Sequence, residues 1–251
     1  LSDPQAEDAL YDMESMRRFA GIELAEDKIP DESTILGFRH LLEAHQLTQA
    51  IFAEVRTLLE ERGLLLKSGT IVDATIISAP SSTKNAKEER DPEMHQTRKG
   101  KQWYFGMKCH IGATKQGVVH SLATGPANEA DITRIDELLH GQESELYGDQ
   151  AYWCEDHRQQ CKHAGIGYRV NRKAKPRHKL TRHQKLINRS RSRTRARGEH
   201  QFHVVKRLWG FTKVRYRGIY KNTVRAFAAF ALGNLYLLRR RLLPRGAQCV
   251  L

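Results

Sequence analysis

Residues 69–78 read GTIVDATIIS, and this stretch restricts the fold more than any other. It is short, rich in β-branched residues and bounded by Gly69 and Pro80, which predicts a strand. Asp73 stands in its middle, between Val72 and Ala74. Aspartate is disfavoured inside a strand, and a buried carboxylate without a partner costs several kcal/mol. A chain that puts Asp73 there must pair it or bind it to a metal ion. The alternative for this residue alone is an edge-facing Asp in an ordinary hydrogen bond.

The pattern before the strand is helical. AEDALYDMESMRRFAGI, from Ala6, spaces Leu10, Met13, Met16 and Phe19 as one helix face. Pro30 and Asp31 open a second helix with Leu36, Leu41 and Leu42 on its apolar side. A third runs through LTQAIFAEVRTLLEERG and stops at Gly63. After the strand, residues 80–101 are polar and read as a loop. Strands are expected at 103–114 and 117–125 and a helix from Asn128 to Leu139. There follow a brief strand before Gly148-Asp149, a helix over about 153–164 and a strand at 166–173. Thr181 and Gln184 spell a capping box that starts a helix reaching about Trp209. FTKVRYRG reads as an extra strand or arm, and 220–241 as a final helix. The expected fold class is α/β: a mixed sheet flanked by helices, with a helical segment in front. The expected division is a helical segment 1–66, an α/β domain 67–241 and a tail 242–251.

Charge is distributed very unevenly. From His157 to Leu251 there are 26 Lys and Arg side chains and one carboxylate side chain, Glu199. Residues 1–66 carry a net −8 and residues 67–156 a net −4. Such asymmetry points to a polyanionic partner, with nucleic acid ahead of a merely solvated surface or an anionic membrane. The longest apolar run, AFAAFALGNLYLL at 226–238, is too short for the roughly 20 residues of a membrane span. The cysteines at 109, 154, 161 and 249 read as reduced thiols of a cytoplasmic protein. Cys154, His157, Cys161 and His163 do not have the compact spacing of a zinc site. The chain opens on Leu1 without a secretory or transit pattern, so a missing natural start is expected.

Two further acids join Asp73. Asp149 follows a predicted strand, and ligands in open α/β sheets bind beyond the carboxyl ends of strands. A turn-forming Gly-Asp is the plainer alternative. Glu199 lies on a predicted helix, within roughly 60° of Arg195 and Lys206 at about 100° per residue. An Arg195–Glu199 surface pair would account for the spacing, but not for the loss of every other acid around it. Three converging carboxylates make an oxygen-rich site for Mg2+ or Mn2+. Two such ions about 3.5–4 Å apart activate a nucleophile at a phosphodiester. A metal-dependent nuclease must be positive for its substrate and negative at one point for its metal.

DESTILGFRHLLE, GTIVDATIISAPSSTKN, DPEMHQTRKGKQWYFGMKCHIG and YGDQAY, with Arg-x3-Glu-x6-Lys realised as Arg195, Glu199 and Lys206, carry a resemblance. The chain resembles the DDE transposases of bacterial insertion sequences, in particular the IS5 family, over nearly its whole length. The related signature has Tyr three residues before the Arg, where this chain has Ser192. The resemblance implies an RNase H-like core and catalytic, metal-holding Asp73, Asp149 and Glu199 with two Mg2+ or Mn2+ ions. Asp73 would bridge both ions, with Asp149 and Glu199 each completing one shell. It implies hydrolysis at the terminal inverted repeats, then attack of the 3′-hydroxyl on target DNA. Arg195 and Lys206 are expected on DNA phosphates, and Arg189, Arg191, Arg193 and Arg197 along the backbone. Trp103, Tyr104, Trp209, Tyr216 and Tyr220 divide between stacking on bases and core packing. A homodimer bridging two element ends, associated with the nucleoid of a bacterium, completes the expectation. The runners-up are a DNA-binding remnant without activity and an RNA-binding protein with an arginine-rich arm.

Overall fold

The computed structural model describes residues 1–66, 68–84, 86, 88–174 and 179–243. The expected tail therefore lies, from residue 244 on, outside the described residues. Two compact units result, Leu1–Thr48 and Gln49–Leu251.

In the first unit, α1 (Asp3–Asp12) starts with a capping box between Ser2 and Gln5, and α2 spans Glu14–Ala20. One helix was expected here, and Met13 breaks it by taking an extended conformation. Arg17 holds the break, donating to the carbonyls of Leu10 at 2.9 Å and Tyr11 at 2.7 Å. Those are the orphan acceptors of a helix end. The third helix, α3 (Glu32–Ala44), is capped by Asp31, whose carboxylate accepts from Thr34 N–H at 2.7 Å.

The second unit takes most of α4 (Leu47–Glu61), because Phe52 and Leu59 are buried there. Its centre is β1 (Thr70–Ser78). One edge of β1 pairs antiparallel along its whole length with Gly106 to Thr114 of β3 (Gln102–Thr114). The far edge of β3 is shared: β2 (His95–Lys99) takes its first residues and β4 (Val119–Pro126) the remainder. The other edge of β1 pairs in parallel with β5 (Glu145–Tyr147), which in turn pairs with β6 (Gly167–Tyr168). The sheet is mixed and has six strands, as expected in class. On one face Ile77, Met107 and Ile111 pack with Phe52 of α4 and with Phe230 of α9 (Ile219–Leu242). On the other, Val72 and Leu146 pack with Leu138 of α5 (Ile135–Leu138) and Cys161 of α6 (Glu155–His163).

Several elements differ from expectation for physical reasons. The loop expected at 80–101 contains β2, whose HQTRK sequence lacks an apolar alternation because it is exposed or half-buried throughout. The helix expected from Asn128 is a 3-10 turn (Asp131–Arg134) followed by the single turn of α5. The strand expected at 166–173 is two residues long by pairing, although Arg169 and Asn171 still donate to Leu146 and Gly148. FTKVRYRG forms no strand; Lys213 makes an isolated bridge to Ser78.

The long helix expected from Thr181 to Trp209 is broken. It consists of α7 (Arg182–Arg195), α8 (Glu199–Phe202) and a π-helical stretch over His203–Leu208. The break at 196–198 lets Gly198 sit on β1, where a Cβ would come within 3.2 Å of Ile71 Cγ2. Behind it, Gln201 is fully buried and donates to Asn234 Oδ1 at 2.6 Å. Asn234 in turn exchanges two hydrogen bonds with the backbone of Val119, at 2.8 and 2.7 Å. One buried amide thus ties α8, α9 and the start of β4 together. Asn234→Ala leaves these buried groups unpaired, and each costs about 1–3 kcal/mol. The expected loss, on the order of 2–5 kcal/mol from several such groups, is read from the urea midpoint.

Candidate active site

The parallel register of β1 and β5 sets the first two acids. Ile71 lies opposite Tyr147, so Asp73 and Asp149, each two residues on, leave neighbouring strands at one level. Gly148 permits this closeness, since a Cβ there would sit 3.1 Å from Val72 Cγ2 and 3.2 Å from Tyr152 Cβ. Asp149 caps the 3-10 turn Gln150–Tyr152, its Oδ1 accepting from Ala151 N–H at 2.8 Å. Glu199 is the first residue of α8, directly after the close contact at Gly198. With Gln201 fixed in the core, Glu199 is turned outward and is 55% exposed in its side chain.

Arg195 joins two of the three acids. Its Nη1 lies 2.9 Å from Asp73 Oδ2 and its Nη2 3.2 Å from Glu199 Oε1. Asp73 is buried at 8% exposure, and its Oδ1 accepts only a local bond, from Ala74 N–H at 3.0 Å. Burial pushes its carboxyl up to about 6; Arg195 opposes the rise, while the charges of Asp149 and Glu199 add to it. The partner that a strand-interior aspartate requires is thus a guanidinium, and it only partly offsets the desolvation.

All three acids line one open cleft of about 650 Å3. Lys99, Lys108, Lys173 and Arg195 line it too. Asp131, a fourth carboxylate, lies in this lining and pairs with Lys108 Nζ at 2.8 Å. The sequence alone singles out neither Asp131 nor Lys99, Lys108 and Lys173. Nothing in spacing along the chain marked these residues. The basic side chains expected on DNA are unevenly placed. Arg189 and Arg193 are exposed on α7. Arg191 donates to the Val170 carbonyl at 2.6 Å, and burial lowers its pKa. Arg197 donates to the Lys115 carbonyl at 3.2 Å. Lys206 is half-buried and donates to Thr75 Oγ1 at 3.0 Å and the Ile76 carbonyl at 2.8 Å. Ser192 accepts from Asn171 at 3.0 Å, which fastens α7 beside the end of the sheet.

The donor set suits a hard divalent cation in chemistry: three carboxylates in one cleft, with the charges of Asp149 and Glu199 both felt at Asp73. Their present positions do not close into a cage. Among the described residues no group of three His, Cys, Asp or Glu is placed to hold an ion. Arg195 stands between Asp73 and Glu199 instead.

The raised Asp73 carboxyl has a consequence for stability. Its folded pKa exceeds its unfolded one, so ionisation penalises the folded state above about pH 6, and the penalty fades as pH falls toward 4. Asp73→Asn should therefore raise the thermal midpoint of the metal-free protein at pH 7–8, by on the order of 2–3 kcal/mol in stability. The gain should vanish near pH 4; calorimetry across this range checks it.

Comparison with known families bears on this arrangement. A family model described as Transposase DDE domain matches residues 65–235, and one described as Transposase domain (DUF772) matches residues 1–41. No solved structure matches the chain. The six-stranded mixed sheet with helices on its faces is consistent with the RNase H-like fold of DDE transposases. Among the described residues no helix is long and apolar enough to cross a membrane. With the greater part of its length matched, the chain belongs to the transposase DDE domain family.

Proposed function

We propose that this transposase hydrolyses phosphodiester bonds at the ends of a mobile DNA element and then joins the freed 3′-hydroxyl to target DNA. The observation that carries the reading is the meeting of Asp73, Asp149 and Glu199, from three distant segments, in one cleft edged with cations. Asp73 would hold two Mg2+ or Mn2+ ions, with Asp149 and Glu199 each completing one of them. Bound there, the ions would supply an activated nucleophile and stabilise the leaving oxygen. In the first reaction a water oxygen bonds to phosphorus, the bond to the 3′-oxygen breaks, and that oxygen takes up a proton. In the second, the freed 3′-oxygen bonds to a target phosphorus and loses its proton, while the target strand's own 3′-oxygen leaves that phosphorus and takes up a proton.

The protein's own part is positioning and charge. Asp73 stands on β1 and Asp149 caps the turn two residues after β5, so the register of β1 with β5 governs their spacing. Arg195 balances Asp73 and Glu199 in the absence of cations and is the residue nearest the acids that suits a substrate phosphate. Lys108 and Lys173 edge the same cleft, and exposed Arg189 and Arg193 extend the positive surface along α7. Lys206 acts from behind, bracing β1 at Thr75 and Ile76. The working unit on DNA is a homodimer that brings two ends together, in a bacterial cytoplasm on the nucleoid. A binding-only remnant would have no need to keep all three acids in one cleft.

The decisive experiment supplies Mn2+ and a labelled DNA end carrying the inverted repeat that flanks the gene. Nicking is expected, and Asp73→Ala, Asp149→Ala and Glu199→Ala should each lower it by about a hundredfold or more while DNA binding persists. Binding without nicking by the intact chain would overturn the catalytic reading. Lys206→Ala separates bracing from contact. As a brace, its loss lowers stability and leaves the salt dependence of DNA binding unchanged; as a phosphate contact, it reduces the salt slope by about 1.

A further inference from the structure

We infer that the β2–β3 hairpin is a nucleic-acid finger whose Trp103 stacks on an unpaired base of the strand lying in the cleft. The inference rests on the reading of DNA as substrate and adds a contact that this reading does not use. The hairpin turns at Gly100, in the left-handed region at φ 63°, and pairs Lys99 with Gln102 and Arg98 with Trp103. Paired residues on adjacent strands share a face, and the Arg98 guanidinium carbon lies 6.0 Å from the Trp103 ring centre. The inner side of the same turn reaches the acids: Thr97, Arg98, Lys99 and Gly100 line the cleft with Asp73, Asp149 and Glu199. Trp103 itself lines the neighbouring groove with Gln96 and Phe105, so a base stacked on it would belong to a strand that passes the turn on its way into the cleft.

Trp103 is 64% exposed, the most exposed of the aromatic side chains in this domain. The other aromatic candidates have partners. Tyr104 donates its hydroxyl to Gln102 at 2.9 Å, and Trp209 packs edge-on against Tyr236 at 5.9 Å. A large indole left in water beside Arg98, Lys99 and Lys101 does not suit an apolar protein partner, which would avoid three cations. It suits a π-face attached to a phosphate backbone. No Asp or Glu occurs from Met94 to Asn128, so nothing on these two strands repels that backbone. Bases inside a duplex have both faces covered by neighbours, so an indole finds a bare face where the strand end is unpaired.

The test compares binding of two labelled DNA ends to the full chain, one fully paired and one with the terminal nucleotides mismatched, each measured without divalent ions. Trp103→Ala should weaken binding of the unpaired end by roughly 5- to 150-fold, the range of one lost base–aromatic stack. Binding of the paired end should change by less than about twofold, the effect of an exposed side chain away from the contact. Trp103→Phe should restore most of the difference. Equal losses on both ends, or no loss on the unpaired one, would overturn the inference. So would a change in oligomeric state on sedimentation, which would make Trp103 a contact between copies. The nicking assay is read separately: absent nicking would sink the proposed chemistry and leave this binding comparison intact, and unchanged binding would do the reverse.

Discussion

The structure is organised around a carboxylate that its own strand cannot accommodate. Asp73 sits at 8% exposure in the central strand, paired with Ile111 of β3 and two residues beyond the last pair with β5. Burial alone would favour its neutral form. Arg195 answers from α7 with one direct bond, and it shares that guanidinium with Glu199. Burial nevertheless outweighs that guanidinium and pushes the carboxyl up to about 6, and the charges of two more acids add to the rise. A site built this way has more negative charge than one guanidinium balances, which is the electrostatic state of a site suited to further cations.

The scaffold serves this charge cluster through close backbone approach. Gly148 and Gly198 bring the chain nearer β1 than a side chain would allow without movement, at the two points from which Asp149 and Glu199 project. The buried Gln201–Asn234–Val119 network then fixes the rotation of α8. The acid on the outer side of α8 is aimed by the amide on its inner side. Gln201 Oε1 is buried without a hydrogen-bond partner among the described residues, so the network's hold on α8 rests on its amide donor and on Asn234, which makes these a point of sensitivity for the site as well as the fold.

Asp73 was conspicuous in sequence because its surroundings are so apolar, and Glu199 because its surroundings are so basic. The family resemblance then joined them to Asp149. The site's remaining parts left no such mark. Lys108 and Asp131 meet across 23 residues, with a strand, β4, between them. The β2 hairpin read as loop because both its faces are largely wet, so no hydrophobic period exists to detect. Lys206 was projected onto the face of Arg195 by assuming an unbroken α-helix. The break at 196–198 and the π-helical stretch change the phase, and the amine arrives at Thr75 and Ile76 instead.

Local chemistry along the chain was therefore enough for the class of fold, and it singled out Asp73, Glu199 and the basic C-terminal half. Hydrophobic period, charge imbalance and isolated anomalies are properties of neighbouring residues, and they survive in one dimension. Tertiary structure alone decided that Arg195 is the counter-ion between Asp73 and Glu199, that Lys206 turns inward, and that Trp103 stands in water on the hairpin whose turn edges the cleft. Those outcomes depend on which surfaces meet across the sheet, and electrostatic and packing energies at such contacts are set by distances that sequence spacing does not contain.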